Sequence, residues 1–213
     1  PIQTGRVKRW EALALTILMA AIFVGTCDRI NPLAFKLSPL ALAVLLFYSH
    51  TKRFTWTSHL FLGLALGIAP VGAWVAARGA LEIPPFWLLG AVLCFVAGFD
   101  ILYATWDEAF DREAGLQSWV VRWGLKKSLT ASRLLHACMV GFLAGFGAQT
   151  DLPSLYYVGV AVVGAILFQQ QRGVWRMEQA SRPGTFRASA ALFRWNGWVA
   201  VLYLVWVGVV LWL

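Results

Sequence analysis

Seven apolar runs, at about 10–27, 38–49, 57–77, 85–106, 128–147, 153–171 and 193–213, constrain this chain more than any other feature. A segment of roughly 20 apolar residues is what a helix needs to cross the hydrocarbon of a bilayer. The runs are continuous rather than alternating, so they read as helices and not as strands of a closed barrel. The second is short for a span, and tilt or snorkelling flanks would have to make up the difference. Only 13% of the residues are charged, about half of what a water-exposed domain carries. The expectation is an all-α, multi-pass transmembrane bundle in which residues 1–213 form one membrane-embedded domain.

The charge of +8 is spread in a way that argues against nucleic acid as a partner. Fifteen of the 18 Lys and Arg fall before residue 10, at 52–53, within 112–133 and within 172–194. The remaining three, Arg29, Lys36 and Arg78, fall in the alternate connections. This alternation is the positive-inside rule. It places the N-terminus on the cytoplasmic side and the C-terminus outside, with the basic residues facing anionic headgroups. Trp56, Trp74, Trp87, Trp198 and Trp212 lie near segment ends, as an interfacial aromatic belt would. Cys27, Cys94 and Cys138 show no paired spacing and read as small apolar core residues.

One run ends in acid: "DILYATWDEAFDREAG", Asp100 to Gly115. At about 100° per helical residue, Tyr103, Asp107 and Asp111 lie roughly −60°, −20° and +20° from Asp100, on one stripe. Glu113 falls on the opposite side. Asp107 and Asp111 are one turn apart and repel unless a cation sits beside them. Hard carboxylate oxygens at a membrane surface suit Mg²⁺, which is usually shared with substrate phosphates. Asp100, Asp107 and Asp111 are the candidate metal ligands. A merely solvated helix end explains Glu108 and Glu113 but not Asp100, which lies near the hydrocarbon, where a carboxylate marks a polar cavity.

A second polar stretch, "YSHTKRFTWTSH" from Tyr48 to His59, lies in another cytoplasmic connection and can face the stripe. Lys52 and Arg53 offer a point charge and a planar fork for phosphate; positive-inside anchoring is the plainer account of the same pair. His50, His59 and His136 have no metal-ligand spacing, and a single His at a helix end is ordinarily interfacial. Acids, Mg²⁺ and basic groups beneath an apolar bundle would hold a diphosphate at the interface while its lipid tail lies among the helices. The competing class is a transporter using the stripe as a cation relay, which the absence of an internal repeat disfavours.

The same passages resemble the UbiA superfamily of intramembrane aromatic prenyltransferases. "DILYATWDEAFDREAGLQS" is similar to its second Asp-rich motif, D-x-x-Y-x-x-x-D-x-x-x-D with a following Gly-x-x-Ser. "YSHTKRFTWTSHLFLGLALGIAPVGAW" is similar to its Tyr-x-x-x-Lys-Arg-x-Thr segment and the helix after it. "PIQTGRV" is similar to the stretch just after the first Asp-rich motif. The departures are the missing first motif and "SWVVRWG", where Val120 and Trp123 replace a Pro and a Phe.

The resemblance, closest to bacterial 4-hydroxybenzoate polyprenyltransferases and menaquinone-pathway relatives, implies Mg²⁺-dependent transfer of a polyprenyl group. The donor would be a polyprenyl diphosphate and the acceptor an aromatic acid, in ubiquinone or menaquinone biosynthesis. Ring acceptors of the haem or chlorophyll type are the alternative. Asp107 and Asp111 would bind Mg²⁺–diphosphate, Asp100 and Tyr103 would line the cavity, and Lys52 and Arg53 would touch the diphosphate. Arg6 and Arg122 are further basic candidates without fixed geometry. The implied setting is the bacterial inner membrane with the site facing the cytoplasm. The implied fold has nine helices, of which this chain would supply seven, and without the first two it is expected to be inactive by itself.

Overall fold

The computed structural model describes residues 7–180 and 190–212. It is all α-helical: α1 Arg9–Ile30, α2 Pro32–Thr51, α3 Ser58–Arg78, α4 Pro84–Glu113, α5 Trp119–Gln149, α6 Ser154–Ala180 and α7 Ala190–Trp212. Each helix packs chiefly on its sequence neighbours, and the most extensive contacts are those of α4 with α3 and α5. Short connections between long helices make consecutive helices antiparallel.

Five helices, α1 to α5, are long and apolar enough to cross a membrane. In α7 the corresponding apolar stretch is Asn196–Trp212. Helix α6 falls short of the expectation that all seven runs are spans of one kind, because Gln169, Gln170, Gln171 and Arg172 interrupt it. Two of these glutamines are buried and point at protein. Gln171 Nε2 donates to Ser132 Oγ at 3.0 Å and to His136 Nδ1 at 2.9 Å, and Ser132 Oγ donates to the Gly98 carbonyl at 2.7 Å. Gln170 Nε2 donates to Asn196 Oδ1 at 2.8 Å. Amide and hydroxyl groups thus link α4, α5, α6 and α7 where an unpaired polar group would be costly.

Helix α2 is longer than its apolar run because Asn31 and Pro32 form an N-terminus that hydropathy does not register. Asn31 Oδ1 accepts from Ala34 N at 2.8 Å, and its Nδ2 donates to the Val75 carbonyl at 2.9 Å, joining the α1–α2 turn to the end of α3. Helix α5 begins at Trp119, well before the expected 128, and is broken at Gly124 (φ 76°, ψ 170°). The departure at Val120 and Trp123 therefore falls in a short helical turn capped by Ser118, whose Oγ accepts from Val121 N at 3.3 Å. Val120 is fully buried there.

Close approach of α3 and α4 depends on small residues. A Cβ on Gly63 would lie 2.5 Å from the Leu93 carbonyl oxygen, and one on Gly67 would lie 2.9 Å from that of Leu89. This is how helices pack when lipid supplies no hydrophobic drive between them. The three thiols are free, but only Cys94 is a core residue; Cys138 is exposed and Cys27 is half-buried. Small size lets a thiol sit on a lipid-facing surface as readily as inside.

Candidate active site

Helix α4 does not stop where its apolar run stops. It continues through the acidic stretch to Glu113 and ends in a Schellman motif. Gly115 takes φ 66°, Leu116 N donates to the Asp111 carbonyl at 2.8 Å, and Gly115 N donates to the Arg112 carbonyl at 3.3 Å. Asp107, Glu108, Asp111 and Glu113 therefore occupy the last two turns. Carboxylates are unfavourable there, because the helix dipole already places negative charge at that end. A local conflict of this kind needs cations nearby.

Among the described residues, two cations meet these carboxylates. Arg112 donates to Glu108 Oε1 at 2.9 Å, an exposed pair one turn apart that accounts for Glu108. Lys52 Nζ reaches Asp111 Oδ2 at 3.6 Å. Asp111 is only 1% exposed, and that Oδ2 has no hydrogen-bond partner among the described residues. At 3.6 Å Lys52 supplies charge but not a hydrogen bond, so a buried anionic oxygen retains unused acceptor capacity. The Lys52 backbone is held as well: Gln117 N donates to its carbonyl at 2.7 Å, fixing the α2–α3 and α4–α5 connections to each other.

Asp100 sits about three turns deeper than Asp111. Its Oδ2 accepts from His59 Nδ1 at 2.6 Å, and its side chain keeps 23% exposure. His59 is fully buried, and its Nε2 lies 3.3 Å from the Trp119 backbone N–H. That N–H can only donate, so Nε2 is the acceptor and Nδ1 carries the proton given to Asp100. His59 and His136 are thus interior groups, contrary to the interfacial expectation. Spacing gives no sign of His59, since its partner lies 41 residues away.

The remaining candidates divide. Tyr103 is half-buried, between Phe99 and Trp106 at ring distances of 5.9 Å each. Asp107 and Arg53 are exposed. Arg122 is exposed and lies over the Trp123 ring at 5.8 Å, with no ion pair to the stripe among the described residues. Arg6 lies outside the described residues. Among the described residues no three His, Cys, Asp or Glu side chains converge as a ready-made metal cage. The stripe is one helical face by angle, yet its members differ in depth and partner.

Residues 1–198 match the UbiA prenyltransferase family. The chain belongs to that family. A 4-hydroxybenzoate octaprenyltransferase of Shewanella woodyi is 29% identical over 210 residues, covering 98% of this chain and 70% of the relative. One from Alkalilimnicola ehrlichii is 32% identical over 204 residues, covering 95% of this chain and 66% of the relative. The solved structure of a UbiA homologue from Aeropyrum pernix superposes with a TM-score of 0.86 at 31% identity, over 98% of this chain and 75% of that one. The chain is thus a UbiA-type integral membrane protein, and membership of a prenyltransferase family sets the transporter reading aside.

Proposed function

We propose that the protein transfers a polyprenyl group from a prenyl diphosphate to an aromatic acid such as 4-hydroxybenzoate, with Mg²⁺, in quinone biosynthesis. The observation that carries this reading is the meeting of Lys52 with the buried, under-coordinated Asp111 at the acidic end of α4. The names of the relatives support the acceptor class. The donor chemistry fits Mg²⁺: carboxylate oxygens only, one of them buried and lacking a hydrogen-bond partner among the described residues. When bound, Mg²⁺ neutralises diphosphate charge and eases its departure.

Asp111 and Asp107 would hold the metal–diphosphate at the interface, and Lys52 and Arg53 would bring positive charge to the leaving phosphate oxygens. Tyr103, with the Phe99 ring at 5.9 Å, would shield the allylic carbon from water as it loses its oxygen. The C–O bond to diphosphate breaks, a C–C bond to the ring forms, and the ring carbon gives up its proton. Asp100 is the carboxylate placed to take up that proton. His59 occupies its Oδ2, and its Oδ1 makes no hydrogen bond among the described residues. We place the site on the cytoplasmic face of a bacterial inner membrane, in line with the division of basic residues between the two sides.

The test is incorporation of radiolabelled prenyl diphosphate by membranes expressing the full-length protein, with 4-hydroxybenzoate, a naphthoate and a porphyrin acceptor in parallel. The reading expects Mg²⁺-dependent labelling of 4-hydroxybenzoate and release of diphosphate. Labelling of another ring alone would reassign the acceptor, and no labelling of any ring would overturn the activity.

A further inference from the structure

At the same end of the bundle, in the α2–α3 connection, Trp56 packs edge-on against two other indoles. Its ring lies 5.0 Å from Trp119 and 5.8 Å from Trp123, at 85° and 90°. These rings and the first turns of α5 beyond Gly124 form a cleft of about 470 Å³, into which Lys126 and Lys127 also project. Lys127 Nζ lies 5.3 Å from the Trp123 ring centroid. Neither lysine forms an ion pair among the described residues. Below them the cleft continues along Ala131 to Leu134, which is 62% exposed. Lys126 to Leu134 is a fall of about 12 Å along the helix axis.

We infer that this cleft is a binding site for one anionic phospholipid of the cytoplasmic leaflet. Its polarity runs in the order of the lipid's own. Two ammoniums stand at headgroup level, indoles line the interfacial zone they favour, and an aliphatic wall continues into the hydrocarbon. Two uncompensated positive charges in one cleft select a headgroup with net negative charge over a zwitterionic one. Edge-on packing of Trp56 against Trp119 and Trp123 gives the site a built wall, which scattered interfacial lysines lack. Trp119 also ties the cleft to the interior, since its ring forms a wall while its N–H holds His59.

The experiment uses the full-length protein purified in a mild non-ionic detergent. Native mass spectrometry follows retention of added phosphatidylglycerol, phosphatidylcholine of the same chains, and free glycerol phosphate. One phosphatidylglycerol per chain is expected to be retained about tenfold more strongly than phosphatidylcholine, with glycerol phosphate not retained. The Lys126→Gln/Lys127→Gln variant is expected to lose that preference at an unchanged melting temperature in detergent. Lys8→Gln/Arg9→Gln, at the same end, is expected to keep it. Equal retention of the two lipids by the natural protein would overturn the inference, as would a preference that survives in the Lys126/Lys127 variant. Retention of glycerol phosphate as strong as that of the lipid would overturn it too, since the apolar half of the cleft would then contribute nothing. Should the double variant fail to fold, Lys127→Gln alone, with an expected partial loss, decides between the same outcomes.

Discussion

His59 Nδ1 lies 2.6 Å from Asp100 Oδ2, and the imidazole that makes this contact is fully buried between α3, α4 and the start of α5. The Trp119 N–H on Nε2 fixes which nitrogen carries the proton. On the proposed reading His59 is a positioning residue: it holds one Asp100 carboxylate oxygen and leaves the other without a hydrogen bond among the described residues.

Replacing His59 by Leu removes a buried hydrogen bond to a charged group, worth about 1.5–3 kcal/mol. The expected result is a fall in kcat of about ten- to a hundredfold, with KM for the prenyl diphosphate nearly unchanged. His59→Asn, whose amide N–H can still donate to Asp100, is expected to recover part of the loss. Equal rates in the Leu and Asn variants would show that His59 only fills space.

Lys52 and Asp111 are expected to be coupled in stability. Lys52→Met leaves an enclosed carboxylate without its cation and should destabilise by about 1–2 kcal/mol, a figure kept low because the lysine is about a third exposed. Asp111→Asn added to it should restore most of that loss. Thermal melts in detergent check this through the double-mutant cycle; strict additivity would mean that the pair does not interact.

Gly63→Ala should lower the melting temperature measurably, because its Cβ meets backbone and not a side chain that can turn away. The cost expected of overpacking is about 1–3 kcal/mol. Gly72→Ala, on the same helix with nothing within 4 Å, is the control and should be neutral or slightly stabilising.

Single cysteines at position 126 should react with a membrane-impermeant reagent only after cells are opened, and those at 82 and 151 in intact cells. The 15-to-3 division of basic residues underlies this expectation. External reaction at 126 would invert the arrangement, including the leaflet assigned to the lipid cleft.

Much of this was legible in the chain because hydropathy and one motif carry it. The helices follow from apolar runs of spanning length, and the acidic stripe follows from helical angle alone. The approach of Lys52 to Asp111 is consistent with two polar stretches at one end of the bundle. What escaped was set by single polar atoms. Asn31 extends α2 through a cap and a contact to α3, neither of which has a hydropathy signature. The run at 153–171 reads as a span although Gln170 and Gln171 lie within it, and both amides are buried against side chains of other helices. His59 was hidden because its role depends on two partners on other helices. Asp107 belongs to the stripe by angle, yet is exposed where Asp111 is enclosed with Lys52 at 3.6 Å, and helical angle carries no information on such depth.

The central claim is that the acidic end of α4 holds the metal–diphosphate. Its most direct measurement is Mg²⁺-dependent prenyl transfer in membranes carrying the full-length protein with Asp111→Asn, beside Glu113→Gln from the opposite face of the same turn. The account predicts no detectable transfer from Asp111→Asn at undiminished protein level and a small effect from Glu113→Gln. Natural activity in Asp111→Asn at limiting Mg²⁺ would contradict it.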